Sequence, residues 1–346
     1  MTFDFYALLA ELGACPTDGK PPECLVSGLL EGCTTWFAVN KIRADEYDAR
    51  MKAKQNEGKK KALSRENGKH EKAKNDARRC YMERAKGAGL QLPSALDLDP
   101  WPPALLHNSW LAIAVEFELL TPWYSKDDRL FHVLDNPVRK DRVFGVPYMA
   151  AASWKGMLRW ACRMQDGLRD HLESGKRFEE WNDPEWVLHL FGNEKGEEED
   201  FHQGALGFYP TWFDKIGFEV INPHDRSRRA GTQPIYYEVV PGRRPKAGGS
   251  NADQEGGKGF LCLLYAPWPG MKAETKPEEV LHHLLEAIET MLTVYGVSAK
   301  RTVGWGTAEI KKWRAWKKET PDNNPIEADN REGLLQQIFP KSGGGS

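Results

Sequence analysis

At 346 residues, 40% of them hydrophobic, the chain carries enough apolar material for one large or two small domains with a real core, which excludes a disordered protein. A formal net charge of −2 and a pI near 6.5 exclude a protein that coats nucleic acid through overall positive charge, so contact with a polyanion must come from local patches. No stretch approaches the roughly 20 apolar residues of a membrane span, and the opening MTFDFYALLAELG has neither a basic n-region nor a cleavage site, so a cytoplasmic protein with no membrane partner is expected.

Residues 1–108 read as a mainly helical, basic extension. FYALLAEL and CLVSGLLEGCTTWF suggest short helices. Residues 41–90 hold sixteen Lys/Arg against eight Asp/Glu, a local excess of +8, and almost no large apolar residues. Such a segment is not expected to pack into a core; it reads as a solvated helix pair broken near Gly58 and Gly68 or as a partly disordered arm, and in either form as a plain solvated face or a contact for RNA. The nine-residue spacing of Cys15, Cys24 and Cys33, with Cys80 as a fourth, could supply thiolates to zinc, but structural zinc sites use tighter pairs, so reduced buried thiols are the preferred reading. The Pro-rich LPSALDLDPWPPALL then reads as a linker.

Residues 109–320 read as the folded domain. In SWLAIAVEFELLTPW, Leu111, Ile113, Val115, Phe117 and Leu119 alternate with smaller or charged residues, the period of a half-buried strand. Ala152 to Gln165 places Trp154, Met157, Leu158 and Ala161 on one helical face, with Ser153 as the expected N-cap. GALGFYPTWF, IGFEVINP and GFLCLLYAPW are strand candidates, Pro277 to Val294 has helical period with Pro in its first turn, and TAEIKKWRAW closes as a strand. The order strand, helix, strands, helix, strand predicts an α+β fold with a ferredoxin-like, RRM-like core, helices on one sheet face and the other face left for ligand. GRRPKAGGSNADQEGGKG reads as an exposed insertion. Residues 321–346, ending in SGGGS, read as a tail and linker.

Two loops can carry chemistry. The first, residues 134–163, places Asp135, Arg139, Lys140, Asp141 and Arg142 ahead of a helix whose first turns carry Ser153, Lys155, Gly156 and Arg159; a helix start beside a hydroxyl and cations suits a phosphate, although a capped helix with surface cations reads the same way. The second is GVSAKRTVGWGTAEI, where Lys300 and Arg301 adjoin Gly304, Trp305 and Gly306. Glycines allow the dihedrals and close approach of a phosphate cradle, and the two cations supply charge. The spacing fits no dinucleotide or Walker loop. The thirteen tryptophans can serve as core filler and as stacking platforms for bases.

Three motifs in order resemble the RAMP superfamily of CRISPR effector subunits, especially the type III Csm- and Cmr-type backbone or capping subunits. The loop form D-x-P-V-x-x-D-x-x-x-x-x-P appears as Asp135, Pro137, Val138, Asp141 and Pro147, followed by S-x-K-G-x-x-R as Ser153, Lys155, Gly156 and Arg159. Leu190, Phe191 and Gly192 with GALGFYP resemble the motif and strand after that helix, and GVSAKRTVGWG resembles the C-terminal glycine-rich loop. The approach MAAASWKG departs from the usual I-P-G-S-S-x-K-G. INPHDRSRRAGT, with Asn222, His224 and Arg226, resembles an Asn-Pro-His stretch of the Cmr-type capping subunit.

The resemblance implies a crRNA-binding subunit with target RNA and other CRISPR effector subunits as partners. By motif position it implies that Asp135 cuts guide-paired target RNA, with Mg2+ or Mn2+ as a cofactor and Asp127, Asp128 and His132 near enough to assist. As a turn residue, Asp135 has an equally good structural account. Arg139, Lys140, Ser153, Lys155, Gly156, Arg159, His224, Arg226, Lys300, Arg301, Gly304, Trp305 and Gly306 are the expected RNA contacts, positioning the strand while base pairing supplies specificity. The alternatives are a non-catalytic capping or structural subunit, and a stand-alone endoribonuclease that processes crRNA with His224, His282 or His283 as acid and base.

Overall fold

The computed structural model describes residues 40–52, 57–87, 90, 107–127, 132–141, 145–193, 203–225, 230–231, 234–244, 254–268, 276–318, 320 and 324–340. The expected N-terminal helices, Cys15, Cys24, Cys33, the Pro-rich linker, Asp128, Arg142, Arg226 and the terminal SGGGS lie outside them. Residues 40–52 are helical, and α1 (Glu57–Gly87) precedes the first strand, β1 (Leu111–Leu119). A short β2 (Tyr148–Met149) leads into α2 (Ala151–Gln165), α3 (Leu168–Glu173) and α4 (Glu185–Phe191). The strands β3 (Leu206–Phe208), β4 (Thr211–Trp212), β5 (Gly217–Ile221), β6 (His224–Asp225), β7 (Ala230–Gly231), β8 (Ile235–Val239) and β9 (Lys258–Tyr265) come next. Helix α5 (Pro277–Thr290) runs into a π-helical turn (Met291–Tyr295), and β10 (Ala308–Trp316), β11 (Ile326–Ala328) and α6 (Arg331–Ile338) follow. No described helix is long and apolar enough to cross a membrane.

The chain divides into two compact units along lines that do not follow the linear reading: Met1–Gln91 with Ser125–Pro147 and Asp214–Val240, and Leu92–Tyr124 with Tyr148–Phe213 and Pro241–Ser346. In the second unit the sheet order is β11-β10-β1-β9-β3, and β1 pairs antiparallel with both β10 and β9, as β3 does with β9. Numbering β1, β3, β9 and β10 as the four strands of a β-α-β-β-α-β chain, the sheet runs fourth, first, third, second. That is the ferredoxin-like arrangement the sequence predicts.

Central position changes what β1 buries. Leu111, Ile113, Val115, Phe117 and Leu119 face the helices, where Phe117 meets the fully buried Trp154 of α2 at 6.1 Å between ring centroids. The even positions are not solvated as a half-buried strand requires: Ala112 and Ala114 are buried with Trp316, and Cys262 and Leu264 pack against them. Further along that face Glu116 and Glu327 both pair with Arg314. The face expected to stay open for ligand is therefore covered by apolar side chains, Trp316 the largest, and by internal ion pairs.

Helix α2 begins one residue earlier than expected. Ala150 occupies the N-cap in extended conformation, and the Ser153 N–H donates to the Ala150 carbonyl at 2.9 Å, so Ser153 lies inside the first turn and is not the cap. The stretch taken for a tail adds β11 to the sheet edge and packs α6 through Leu334 and Ile338. Asn330 caps it, its side-chain oxygen accepting the Gly333 N–H at 2.8 Å. The ends of the Gly-rich insertion are also not free loop. A Cβ on Gly256 would lie 2.0 Å from the Leu119 carbonyl, and one on Gly242 would lie 2.6 Å from the Leu120 carbonyl, so both glycines allow backbone to pass directly over the end of β1.

Arg243, on one of those ends, holds Glu118 of β1 at 2.9 Å, while the Gly256 N–H and Lys311 reach the same carboxylate at 2.9 and 3.1 Å. Burial alone would raise the Glu118 pKa, but Arg243, the Gly256 N–H and Lys311 outweigh it and lower it to about 2. A depressed carboxylate stabilises the fold above its unfolded pKa near 4.5, and that contribution is lost as pH falls toward about 2. Glu118→Gln is expected to flatten the acid limb of a stability-versus-pH curve across that window; an unchanged limb would show that the ion cluster does not couple to folding.

In the first unit the basic segment packs after all. Ala77, Tyr81 and Ala85 of α1 recur every four residues, one stripe on a charged helix, and bury against Val133, Leu134, Ile216 and Phe218. Three positions suffice because Tyr81, 0% exposed, is also anchored by polar groups. It donates to Glu238, accepts from Lys140 Nζ at 2.8 Å, and lies 3.3 Å from His132 Nε2. Lys140 pairs with the fully buried Glu238, whose other oxygen accepts the Val138 N–H at 3.1 Å. Burial would raise the Glu238 pKa; the adjacent Lys140 cation reverses this and holds it below the ordinary carboxylate range. Among the described residues Cys80, Cys162 and Cys262 form no disulfide, and burial pushes the Cys262 thiol up to about 12.

Candidate functional site

The glycine-rich loop after α5 is built against the exit of β1. Trp123 Nε1 donates to the Val297 carbonyl at 2.8 Å, and the Ser298 hydroxyl accepts the Tyr124 N–H at 3.0 Å and donates to the Tyr124 carbonyl at 3.1 Å. The Ala299 N–H adds a 2.8 Å bond to the same carbonyl. Gly306, at φ 90°, closes the loop: a Cβ there would sit 2.5 Å from the Ser298 nitrogen. Gly304, at φ 84°, has nothing within 4 Å of the same position, so it needs glycine for its dihedral and leaves open space above its backbone.

Between these anchors, residues 302–304 are exposed and Arg301 turns back onto α2. Its guanidinium lies 4.1 Å from the centroid of the Trp160 ring, and Trp160 packs edge-on against Tyr295 at 4.8 Å. The S-x-K-G helix and the glycine loop, far apart in sequence, are thereby joined in one surface. Gly156 is one turn before Trp160 on the same helical face, exposed and with open space where a Cβ would be. Lys155 is exposed beside it, its pKa lowered by partial desolvation and then by the Arg159 charge. The first turn of α2 holds no acidic residue, which leaves the positive end of its dipole uncompensated there. A cation stacked on an indole, next to a backbone that can be approached closely, suits a sugar-phosphate strand with a base laid against the ring.

Two expected phosphate contacts are engaged elsewhere. Arg159 and Arg163 both bind Asp183, at 2.6 and 2.5 Å, with the Asp183 side chain 3% exposed; this buried bridge fixes the segment ahead of α4 to α2. Lys140 is 5% exposed within the Glu238 network, so its charge is neutralised inside the first unit. Arg139 is half-buried, its N–H bonded to the Ser125 carbonyl at 2.7 Å. His224 contributes backbone to the β6–β7 hairpin.

Asp135 lies in the first unit on an exposed loop, its side chain 62% accessible. Both of its oxygens accept from Arg78 of α1, at 3.1 and 2.9 Å, and Arg78 also donates to the Val133 carbonyl at 3.3 Å. The loop is stitched to β8, where the Glu238 N–H donates to the Asn136 carbonyl at 3.0 Å and Asn136 Nδ2 donates to the Tyr236 carbonyl at 3.2 Å. His132 accepts the Leu134 N–H at Nδ1 and serves the buried network. A hard divalent ion needs several oxygen ligands. Among the described residues no trio of His, Cys, Asp or Glu able to share an ion is found at Asp135, and its carboxylate is already held by a guanidinium. The described residues therefore offer Mg2+ or Mn2+ no all-protein cage at Asp135, and an ion there would share this one carboxylate with water and substrate phosphate.

Sequence reasoning did not single out Trp160, Tyr295 or Arg78. Trp160 follows the family-like Arg159 directly, and only its helical register with Gly156 marks it as surface. Arg78 is one of many cations in a charged run, with no local signal that distinguishes it.

Comparison with known proteins gives three findings. No curated protein matches the sequence. Among solved structures, the chain is similar to a chain of the type III-B Cmr-beta bound to cognate target RNA, determined by cryo-EM: the two share 14% identity, the match covers 85% of this chain and 94% of that one, and the TM-score is 0.52. At that identity the likeness shows the fold. The family model of the RAMP superfamily matches residues 116–309, more than half of the chain and the span that holds α2, β3, β9, α5 and the glycine loop; the protein belongs to the RAMP superfamily.

Proposed function

We propose that this protein is a crRNA-binding subunit of a type III CRISPR effector complex, and that the α2–glycine-loop surface of its second unit holds the guide backbone. The observation that carries the reading is Arg301 stacked on Trp160, which joins the two family motifs into one cationic, aromatic surface. Lys155, Lys300 and Arg301 supply the positive charge, and Gly156 and Gly304 leave room for the strand. Such contacts position RNA without reading its sequence. The similarity to a chain from an assembly bound to target RNA supports the same reading.

Asp135 cuts guide-paired target RNA in this proposal. Its carboxylate takes the proton of a ribose 2′-OH, the 2′-oxygen attacks the adjacent phosphorus, and the P–O5′ bond breaks as the departing 5′-oxygen takes a proton from water, leaving a 2′,3′-cyclic phosphate and a 5′-hydroxyl. Arg78 holds the carboxylate and places a cation beside the developing negative charge. The same pair supports a second reading, a structural or capping subunit in which Asp135 only fastens its loop to α1. Asp135→Ala in an assembled complex separates the two: guide binding intact with one target cut abolished is expected, and unchanged cutting selects the structural role. Incubating the purified subunit with repeat RNA is expected to yield no cleavage; cleavage would favour a processing endoribonuclease.

A further inference from the structure

Three lone-pair donors of α5 approach one another, away from the α2–glycine-loop surface in sequence and in role. Glu286 is four residues after His282 and three after His283, so each histidine is one helical turn from the same carboxylate. Ligand atoms of the three lie within 4.8 Å of one another. Neighbouring helices hold them. The His283 ring stacks on Trp186 of α4 at 5.1 Å with planes 28° apart, which fixes its plane. Gln165, the last residue of α2, donates from Nε2 to Glu286 Oε2 at 2.8 Å, and the same nitrogen lies 3.4 Å from His283 Nδ1.

Gln165 supplies the second observation. Its NH2 group occupies the point on which a carboxylate and an imidazole nitrogen both direct lone pairs, while its own Oε1 is buried with no hydrogen-bond partner. A buried carbonyl oxygen left unpaired costs free energy. A cation in the place of the NH2 group would receive both lone pairs directly, and the carboxamide turned over would present Oε1 to it as a further oxygen ligand. Arg331 does not preclude this. It lies 3.7 Å from Glu286, but its shorter bonds, 3.0 and 2.9 Å, go to Glu289 and Glu332.

We infer that His282, His283 and Glu286, with Gln165 as fourth ligand, form a Zn2+ site that clamps α5 to the end of α2. Two imidazoles with oxygen donors suit a borderline transition ion, of which Zn2+ is the one that accepts four-coordinate sites without redox chemistry, and disfavour Mg2+ and Ca2+. Bonds of about 2.0–2.1 Å in tetrahedral geometry require ligand atoms roughly 3.3 Å apart, so from a spacing within 4.8 Å the side chains must close in by about 1.5 Å at most when the ion binds.

The test is a Co2+ titration of the full chain, free of any added histidine tag, followed by Zn2+ competition. A visible tetrahedral Co2+ spectrum without thiolate charge-transfer bands is expected, displaced by Zn2+ and untouched by Mg2+. His283→Ala and Glu286→Gln should each weaken Co2+ binding at least tenfold, and Gln165→Leu should weaken it several-fold. His282 and His283 are exposed, so the alanine variants should keep the wild-type Tm in EDTA and lose the rise in Tm that Zn2+ gives the parent. Absence of Co2+ binding, thiolate bands placing the ion on cysteines, or equal affinity in the His282→Ala/His283→Ala double variant would overturn the assignment.

Discussion

Lys140→Met is expected to destabilise the first unit by about 3–5 kcal/mol, the cost of leaving a buried charge without its partner. Glu238 is 0% exposed and cannot recover hydration. With Met at position 140 it must take up a proton or draw in water, and in either case its bonds with Tyr81 and the Val138 N–H are disturbed. Because Tyr81 is the largest apolar anchor of α1, the loss should spread to that helix. Hydrogen exchange along α1 and β8, read against urea unfolding, would show protection falling in both. A Lys140→Met/Glu238→Leu double variant should recover part of the stability and not all of it, since the Val138 N–H then lacks its acceptor, worth about 1–3 kcal/mol. Equal stability of Lys140→Met and wild type would mean the network does not anchor α1.

The second large effect is expected at Trp154. Its side chain is 0% exposed, packs against Phe117 of β1, and donates from Nε1 to the Thr211 hydroxyl at 2.9 Å. Trp154→Ala should cost about 3–5 kcal/mol through reduced burial and the cavity left behind. Trp154→Phe keeps most of the volume and removes the N–H, so about 1 kcal/mol is expected. The consequence reaches function because Lys155, Gly156 and Trp160 stand on the helix that Trp154 pins to the sheet. RNA affinity should therefore fall further in the alanine variant than in the phenylalanine variant, measured at a temperature where both remain folded.

Much of the core was legible because it depends on local pattern. The apolar period of β1 and of α5, the Pro at the start of α5, and the glycines at 304 and 306 each state a backbone requirement within a few residues. What the pattern did not disclose was pairing at a distance. Lys140 and Arg159 read as surface cations until their partners, Glu238 and Asp183, are found 98 and 24 residues away. Likewise Ala77, Tyr81 and Ala85 are too few to announce a buried stripe in a charged run, and become one because a tyrosine hydroxyl can be satisfied inside. The two-unit division was hidden for a related reason: residues 125–147 and 214–240 leave the core sheet to pack with α1, and no composition shift marks either departure. By contrast, α6 carried a readable signal in Asn330 followed by Gly333 and Leu334, an N-cap before an apolar position.

Guide-RNA binding by the α2–glycine-loop surface is tested most directly by measuring the affinity of the full chain for a single-stranded guide RNA across a salt series. Trp160→Ala/Arg301→Ala is predicted to bind at least tenfold more weakly at low salt. Its dependence of log K on log salt should also be shallower by about 0.7 for each phosphate that the variant no longer neutralises. Wild-type affinity and slope in that variant, with the fold intact, would contradict the account.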